Sequence, residues 1–116
     1  FQVTDVVELM AAEARIDLAS LAIDGGAAAN NLLCQLQADS LAFPVDRAAQ
    51  LQSTGLGAAY LAGIGGGMLP DFEALQRLRA SSAVFTPRAD TETDRGHWHR
   101  AVERSRDWAS VGGTER

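Results

Sequence analysis

The amino-acid sequence predicts an α/β fold, and three observations carry that prediction. A short apolar run, Leu18 to Ile23, stops abruptly at Asp24-Gly25-Gly26, as a buried strand does where it meets a tight turn. Beyond the glycines, Ala27-Ala28-Ala29-Asn30-Asn31 opens a segment with Leu32, Leu33, Leu36 and Leu41 at near-helical spacing; alanine is the best helix former. Pro44-Val45 then starts a second short strand, where proline is tolerated at a first or edge position.

The remaining elements follow in chain order. Thr4 precedes apolar residues at Val6, Val7, Met10, Ala11 and Ala14, with Asp5 and Glu8 near the start. This pattern predicts an amphipathic helix capped by Thr4, with the acids complementing its positive end. A helix from Ser53 or Thr54 through Ala62 is lined with small residues, Gly55, Gly57, Ala58, Ala59 and Ala62, which let a backbone approach a neighbour or ligand closely. Gly65-Gly66-Gly67 ends it, and Pro70 confirms the break. Asp71 to Leu78 suits another helix, with Phe72, Leu75 and Leu78 apolar and Glu73 placed four residues before Arg77. From Phe85 to Asp94 the chain reads as a solvated loop. A last helix, His97 to Trp108, puts Trp98, Ala101, Val102, Ser105 and Trp108 on one face, and residues 112–116 are expected to be a disordered tail.

Bulk properties narrow the function. The chain has 116 residues, enough for one compact domain, so a single core is the ceiling. A net charge of −5 lacks the basic footprint that a nucleic-acid backbone requires. No apolar run of about 18 residues could span a bilayer, and Phe1 opens the chain without initiator methionine or signal-peptide regions. The expectation is a cytoplasmic chain that begins in mid-domain. The single cysteine, Cys34, excludes an internal disulfide, has no basic neighbour to lower its pKa and reads as a buried inert thiol. His97 and His99 flank Trp98, but residues two apart on a helix point in different directions, so no metal pair is expected.

The chemistry concentrates at Asp24-Gly25-Gly26-Ala27-Ala28-Ala29-Asn30-Asn31. Glycines between a strand end and a helix start let a ligand touch main-chain amides, and helix N-termini attract phosphate. On that reading Gly25 and Gly26 admit the ligand and Asn30, in the first helical turn, hydrogen-bonds it. A Gly-Gly turn also serves as a plain connection. Neither the GxxxxGK[ST] loop nor a GxGxxG fingerprint is present.

The spelling is more specific than the periodicity. Ile23-Asp24-Gly25-Gly26-Ala27-Ala28-Ala29-Asn30-Asn31-Leu32-Leu33-Cys34-Gln35-Leu36-Gln37-Ala38-Asp39 resembles the C-terminal signature of glycerol kinases, typically VDGGxxxNxxLMQFQAD. Ser53-Thr54-Gly55-Leu56-Gly57-Ala58-Ala59-Tyr60-Leu61-Ala62-Gly63 is similar to the family's TTALGAAYLAG, and Phe85-x-Pro87 followed by Trp98 and Ala101-Val102-Glu103-Arg104 looks like its closing region. Cys34 stands where methionine is usual, Leu36 replaces phenylalanine, Gly55 replaces alanine, and Gly67-Met68 stands in place of the family's GxW. None of these departures removes an expected ligand contact.

The resemblance implies part of an actin-like, ribonuclease H-like ATPase domain over residues 1–111, lacking its first antiparallel strands, with ATP bound in the cleft between two halves. It further implies that Gly25, Gly26 and Ala27 border the nucleotide, that Asn30 lies beside the adenosine, and that Mg2+ is held by ligands outside this chain. The implied reaction is transfer of the γ-phosphoryl group of Mg-ATP to glycerol, with the catalytic aspartate upstream, so that no catalytic residue is expected here and Asp24 is not promoted to that role. The missing strands would leave a sheet edge beside Leu18 to Ile23 exposed, inviting homo-oligomerisation. Two alternatives stay open: a non-catalytic remnant that binds a partner chain, and the same portion of another sugar kinase of the FGGY family.

Overall fold

The structure is a computed structural model that describes residues 1–106. In chain order it contains α1 (Gln2–Ala14), β1 (Leu21–Ile23), a 3-10 turn (Gly26–Ala29), α2 (Asn31–Leu41), β2 (Val45–Ala48), α3 (Ser53–Gly65), α4 (Phe72–Leu78), β3 (Ser81–Phe85) and α5 (Glu92–Ser105). The strands form one sheet in the order β1-β2-β3. β1 runs parallel to β2, with Leu21 opposite Val45 and Ile23 opposite Arg47. β3 is antiparallel to β2, with Val45 opposite Phe85 and an irregularity between Arg47 and Ala48. The parallel pair needs a crossover, and α2 supplies it.

The predicted order of strand, glycine turn, helix and strand is therefore observed, with four corrections. Thr4 does not cap α1: the helix starts earlier, the Phe1 carbonyl accepts the Asp5 amide at 3.0 Å, and no side chain caps it. Thr4 is fully buried instead, its hydroxyl 2.5 Å from that of Ser40 on α2. The second helix opens at Asn31 and not Ala27, because the residues after the glycines form a separate 3-10 turn. β3 escaped sequence reading because Ser81-Ser82-Ala83-Val84-Phe85 is half polar and turns only Ala83 and Phe85 inward. The last helix begins at Glu92, inside the expected loop. Trp108, expected on its apolar face, and the expected tail lie outside the described residues.

A small core holds these pieces. Ala38, Leu41 and Val45 are buried, and Val7, Leu21, Ile23, Phe43 and Phe85 pack against them. Of the apolar stripe expected on α1, only Val7 reaches this core, while Val6 and Met10 remain exposed at 51% and 65%. β1 stands at the end of the strand order and presents an unpaired edge among the described residues. No helix among them is long and apolar enough to cross a membrane.

Two polar clusters fix the periphery. The carboxylate of buried Asp39 accepts from the Arg88 amide at 2.7 Å, from Gln35 Nε2 at 2.9 Å and from the Ala89 amide at 3.4 Å. Donation from the Arg88 backbone, then from Gln35, holds the Asp39 carboxyl below the usual carboxylate range. Gln35 also donates to the Thr86 carbonyl at 2.8 Å, so two members of the Gln-x-Gln-Ala-Asp run tie down the segment after β3. The second cluster joins α5 to α1: Asp5 accepts from Trp98 Nε1 and His99 Nε2, each at 2.9 Å, and Arg95 bridges Asp5 and Glu8.

Candidate nucleotide-binding cleft

The sequence-predicted corner forms and is open. At the end of β1 the chain turns through Gly25, whose φ of 84° and ψ of 168° lie in a region that only glycine occupies comfortably. A Cβ at Gly26 would meet nothing within 4 Å. A side chain there would point into empty space, so the fold imposes no steric need for glycine at that position.

That space belongs to a cleft of about 550 Å³ lined by Asp24, Gly25, Gly26, Ala29, Leu51, Gln52, Ser53, Thr54 and Gly55. Two elements supply its walls, the glycine turn after β1 and the first turn of α3. Parallel pairing of β1 with β2 ends both strands on the same side, and the segments that follow them therefore face each other. The Gly25 amide ties the walls together by donating to the Leu51 carbonyl at 3.0 Å.

Amide availability differs from the sequence expectation at one position. Gly25 N–H is engaged with Leu51, whereas among the described residues the N–H groups of Gly26 and Ala27 have no acceptor. Across the cleft, Gln52 at the start of α3 makes no side-chain cap, and the amides of Ser53, Thr54 and Gly55 likewise find no acceptor among the described residues. An uncapped helix start of 13 residues presents several donors and a positive dipole end to one space, which is favourable chemistry for an anion.

The other two predicted residues are placed differently. Asn30 is the N-cap of α2, its Oδ1 accepting from the amides of Leu32 at 2.9 Å and Leu33 at 3.2 Å. Its oxygen is thereby occupied, which leaves Nδ2 as the group free to donate to a ligand. Neither Asn30 nor Ala27 lines the cleft, and Ala27 borders a separate depression with Val3, Ile23 and Cys34. The hydroxyl-bearing Ser53 and Thr54 were not expected at the site. Their signal in the sequence was the run of small residues that follows them, which predicted close backbone approach without saying to what.

Outside the cleft the secondary candidates take structural roles. Cys34 is buried, and its thiol donates to the Ala28 carbonyl at 3.2 Å. His99 pairs with Asp5. No group of three or more His, Cys, Asp or Glu side chains suited to a metal ion occurs among the described residues.

Known proteins resemble this chain over most of its length. The glycerol kinase of Trichlorobacter lovleyi is 47% identical over 112 residues, which cover 94% of this chain and 23% of the relative. That of Petrotoga mobilis is 46% identical over 111 residues, 93% of this chain and 22% of the relative. The crystal structure of Plasmodium falciparum glycerol kinase with ADP superposes with a TM-score of 0.73 at 28% identity, covering 90% of this chain and 22% of that one. The chain thus spans less than a quarter of the length of the relatives it matches. The match extends to the domain level: the model of the C-terminal domain of the FGGY family of carbohydrate kinases fits residues 1–66, with the glycine turn, both cleft walls and the parallel strand pair inside it. The chain therefore belongs to the FGGY family of carbohydrate kinases and carries part of its C-terminal domain.

Proposed function

We propose that this chain is the nucleotide-binding C-terminal portion of an ATP-dependent glycerol kinase, which transfers the γ-phosphoryl group of Mg-ATP to glycerol and gives glycerol 3-phosphate. The observation that carries the reading is the cleft in which Gly26, free of any steric requirement, faces the uncapped start of α3. Unpaired amides on both walls suit the anionic tail of a nucleotide, and Asn30 Nδ2, just outside, suits a contact to the nucleoside. Glycerol is favoured as substrate by the glycerol kinase relatives over nearly the whole chain.

The fragment by itself is not competent for transfer. Phosphoryl transfer depends on positioning, on charge neutralisation by metal and on a base for the attacking hydroxyl. On this reading the Mg2+ ligands, the base and the glycerol pocket belong to the remaining length of such an enzyme. On this reading the enzyme is cytoplasmic, and a net charge of −5 offers no basic footprint for a nucleic acid.

In a full-length kinase carrying this segment, ADP release is expected to depend on glycerol. Gly26→Val should raise KM for ATP by about tenfold or more while leaving KM for glycerol and the unfolding midpoint unchanged. ADP release indifferent to glycerol, or a KM for ATP untouched by Gly26→Val, defeats the reading. A second reading, a partner-binding module without catalysis, is favoured by the exposed Val3, Val6, Met10 and Leu36. Calorimetric titration with ADP separates the two, since the module would take up no nucleotide.

A further inference from the structure

We propose that Arg47, on the central strand β2, is the positioning residue of the glycine turn, holding Gly26–Ala29 in the shape that presents the Gly26 amide to the cleft. The turn has little of its own to hold it. It is a four-residue 3-10 segment preceded by a glycine at positive φ, with internal bonds from Ala28 N to Gly25 O and from Asn30 N to Ala27 O, each at 3.1 Å. Short 3-10 turns have poor hydrogen-bond geometry and persist where their surroundings support them. The carbonyl of Ala28, a residue 4% exposed, points away from water and requires a partner.

Arg47 supplies it. Its Nη1 donates to Ala28 O at 3.1 Å and to Asn31 Oδ1, on the first residue of α2, at 2.7 Å. The opposite side of the guanidinium is fixed by β3: Nε donates to Ser82 Oγ at 3.0 Å, and the group lies 5.3 Å from the centre of the Phe85 ring. One planar side chain thus connects the sheet to the turn and to the start of α2. A lysine ammonium, a point charge without the rigid fork, cannot keep these contacts simultaneously. No carboxylate of the described residues forms an ion pair with Arg47, and its charge sits on the strand whose side chain holds the turn where the nucleotide's anionic tail is read to sit. The effect on the turn is independent of the proposed function; the effect on nucleotide binding rests on it.

Amide hydrogen exchange and ADP titration by NMR, on a full-length kinase carrying this segment, test this. Arg47→Gln is expected to speed exchange at the Ala28 and Asn30 amides by about tenfold, the loss of a charge-assisted hydrogen bond, while amides of the β2–β3 pairing keep their rates. ADP-induced shifts at the Gly26 amide should then require about tenfold more ADP. Arg47→Lys should fall between the two. Ser82→Ala, which loosens the guanidinium from the far side without touching the turn, should move exchange in the same direction by less. Unchanged exchange at Ala28 and Asn30, or equal acceleration throughout the sheet, overturns the proposal, and if Arg47→Gln does not fold the other two variants decide. Faster turn exchange with unaltered ADP affinity overturns the link to nucleotide. A wild-type chain without ADP shifts defeats the functional reading and leaves exchange to decide the role of Arg47.

Discussion

At the scale of single residues, the two glycines of the turn are not equivalent. Gly25 is required by backbone conformation, since at its φ of 84° an added Cβ strains the chain even though space is open around it. Gly26 is required by neither conformation nor packing. Gly25→Ala should therefore lower stability by about 1–2 kcal/mol, and Gly26→Ala should leave it within about 0.5 kcal/mol, as read from urea midpoints at constant slope. A second residue-level expectation concerns Asp5. Bonds from His99 first and Trp98 next hold its carboxyl down at about 2, against an ordinary value of 3.8. A depressed carboxyl contributes stability that is fully present above its unfolded pKa and is lost as pH falls through the folded one. The contact of α5 with α1 should accordingly hold at pH 5 and weaken between about pH 4 and pH 2. The Trp98 indole N–H resonance reports it, and Asp5→Asn should weaken the contact already at neutral pH.

At the scale of elements, the start of α2 shows how one residue type can satisfy two readings. Asn30 was legible as a residue at a helix mouth, yet nothing in the sequence distinguished a ligand contact from a cap, because asparagine is suited to both. The 3-10 turn places it one residue before α2, where its oxygen accepts two amides. Asn30→Ala should then cost about 1 kcal/mol of stability, seen as a lowered urea midpoint, whether or not nucleotide is present. Asp71 takes the same part for α4, accepting the Ala74 amide at 2.9 Å, whereas the sequence reading counts it as the first residue of the helix and names no cap. β3 was not legible because its pairing with β2, and not an internal pattern, makes it a strand.

At the scale of the whole molecule, burial is small for the chain length. A compact chain of this size has a radius of gyration of about 13 Å, whereas this one measures 19.4 Å. Its accessible surface of 8814 Å² likewise exceeds the roughly 6,100 Å² typical of a folded 12.3 kDa monomer. The excess is apolar in part, with Val6, Met10, Leu32 and Leu36 more than half exposed, and β1 adds an unpaired edge among the described residues. Such surfaces associate. In isolation the chain is expected to elute as an oligomer and to bind a hydrophobic dye, by light scattering and fluorescence, and a monodisperse monomer with a sharp thermal transition would contradict this.

By itself the sequence determined the order of strand, glycine turn and helix, the family resemblance and the position of the open glycine corner. These are local matters: apolar runs, glycines that stop them, and a spelling confined to one stretch of chain. Tertiary structure alone decided which amides are available, since Gly25 is engaged by Leu51 from a segment 26 residues on. It also decided that the start of α3 forms the facing wall and that Arg47 stands behind the turn. Those relations arise from strand pairing between distant segments, and a hydrogen-bond partner 19 residues away leaves no periodicity for a sequence to display.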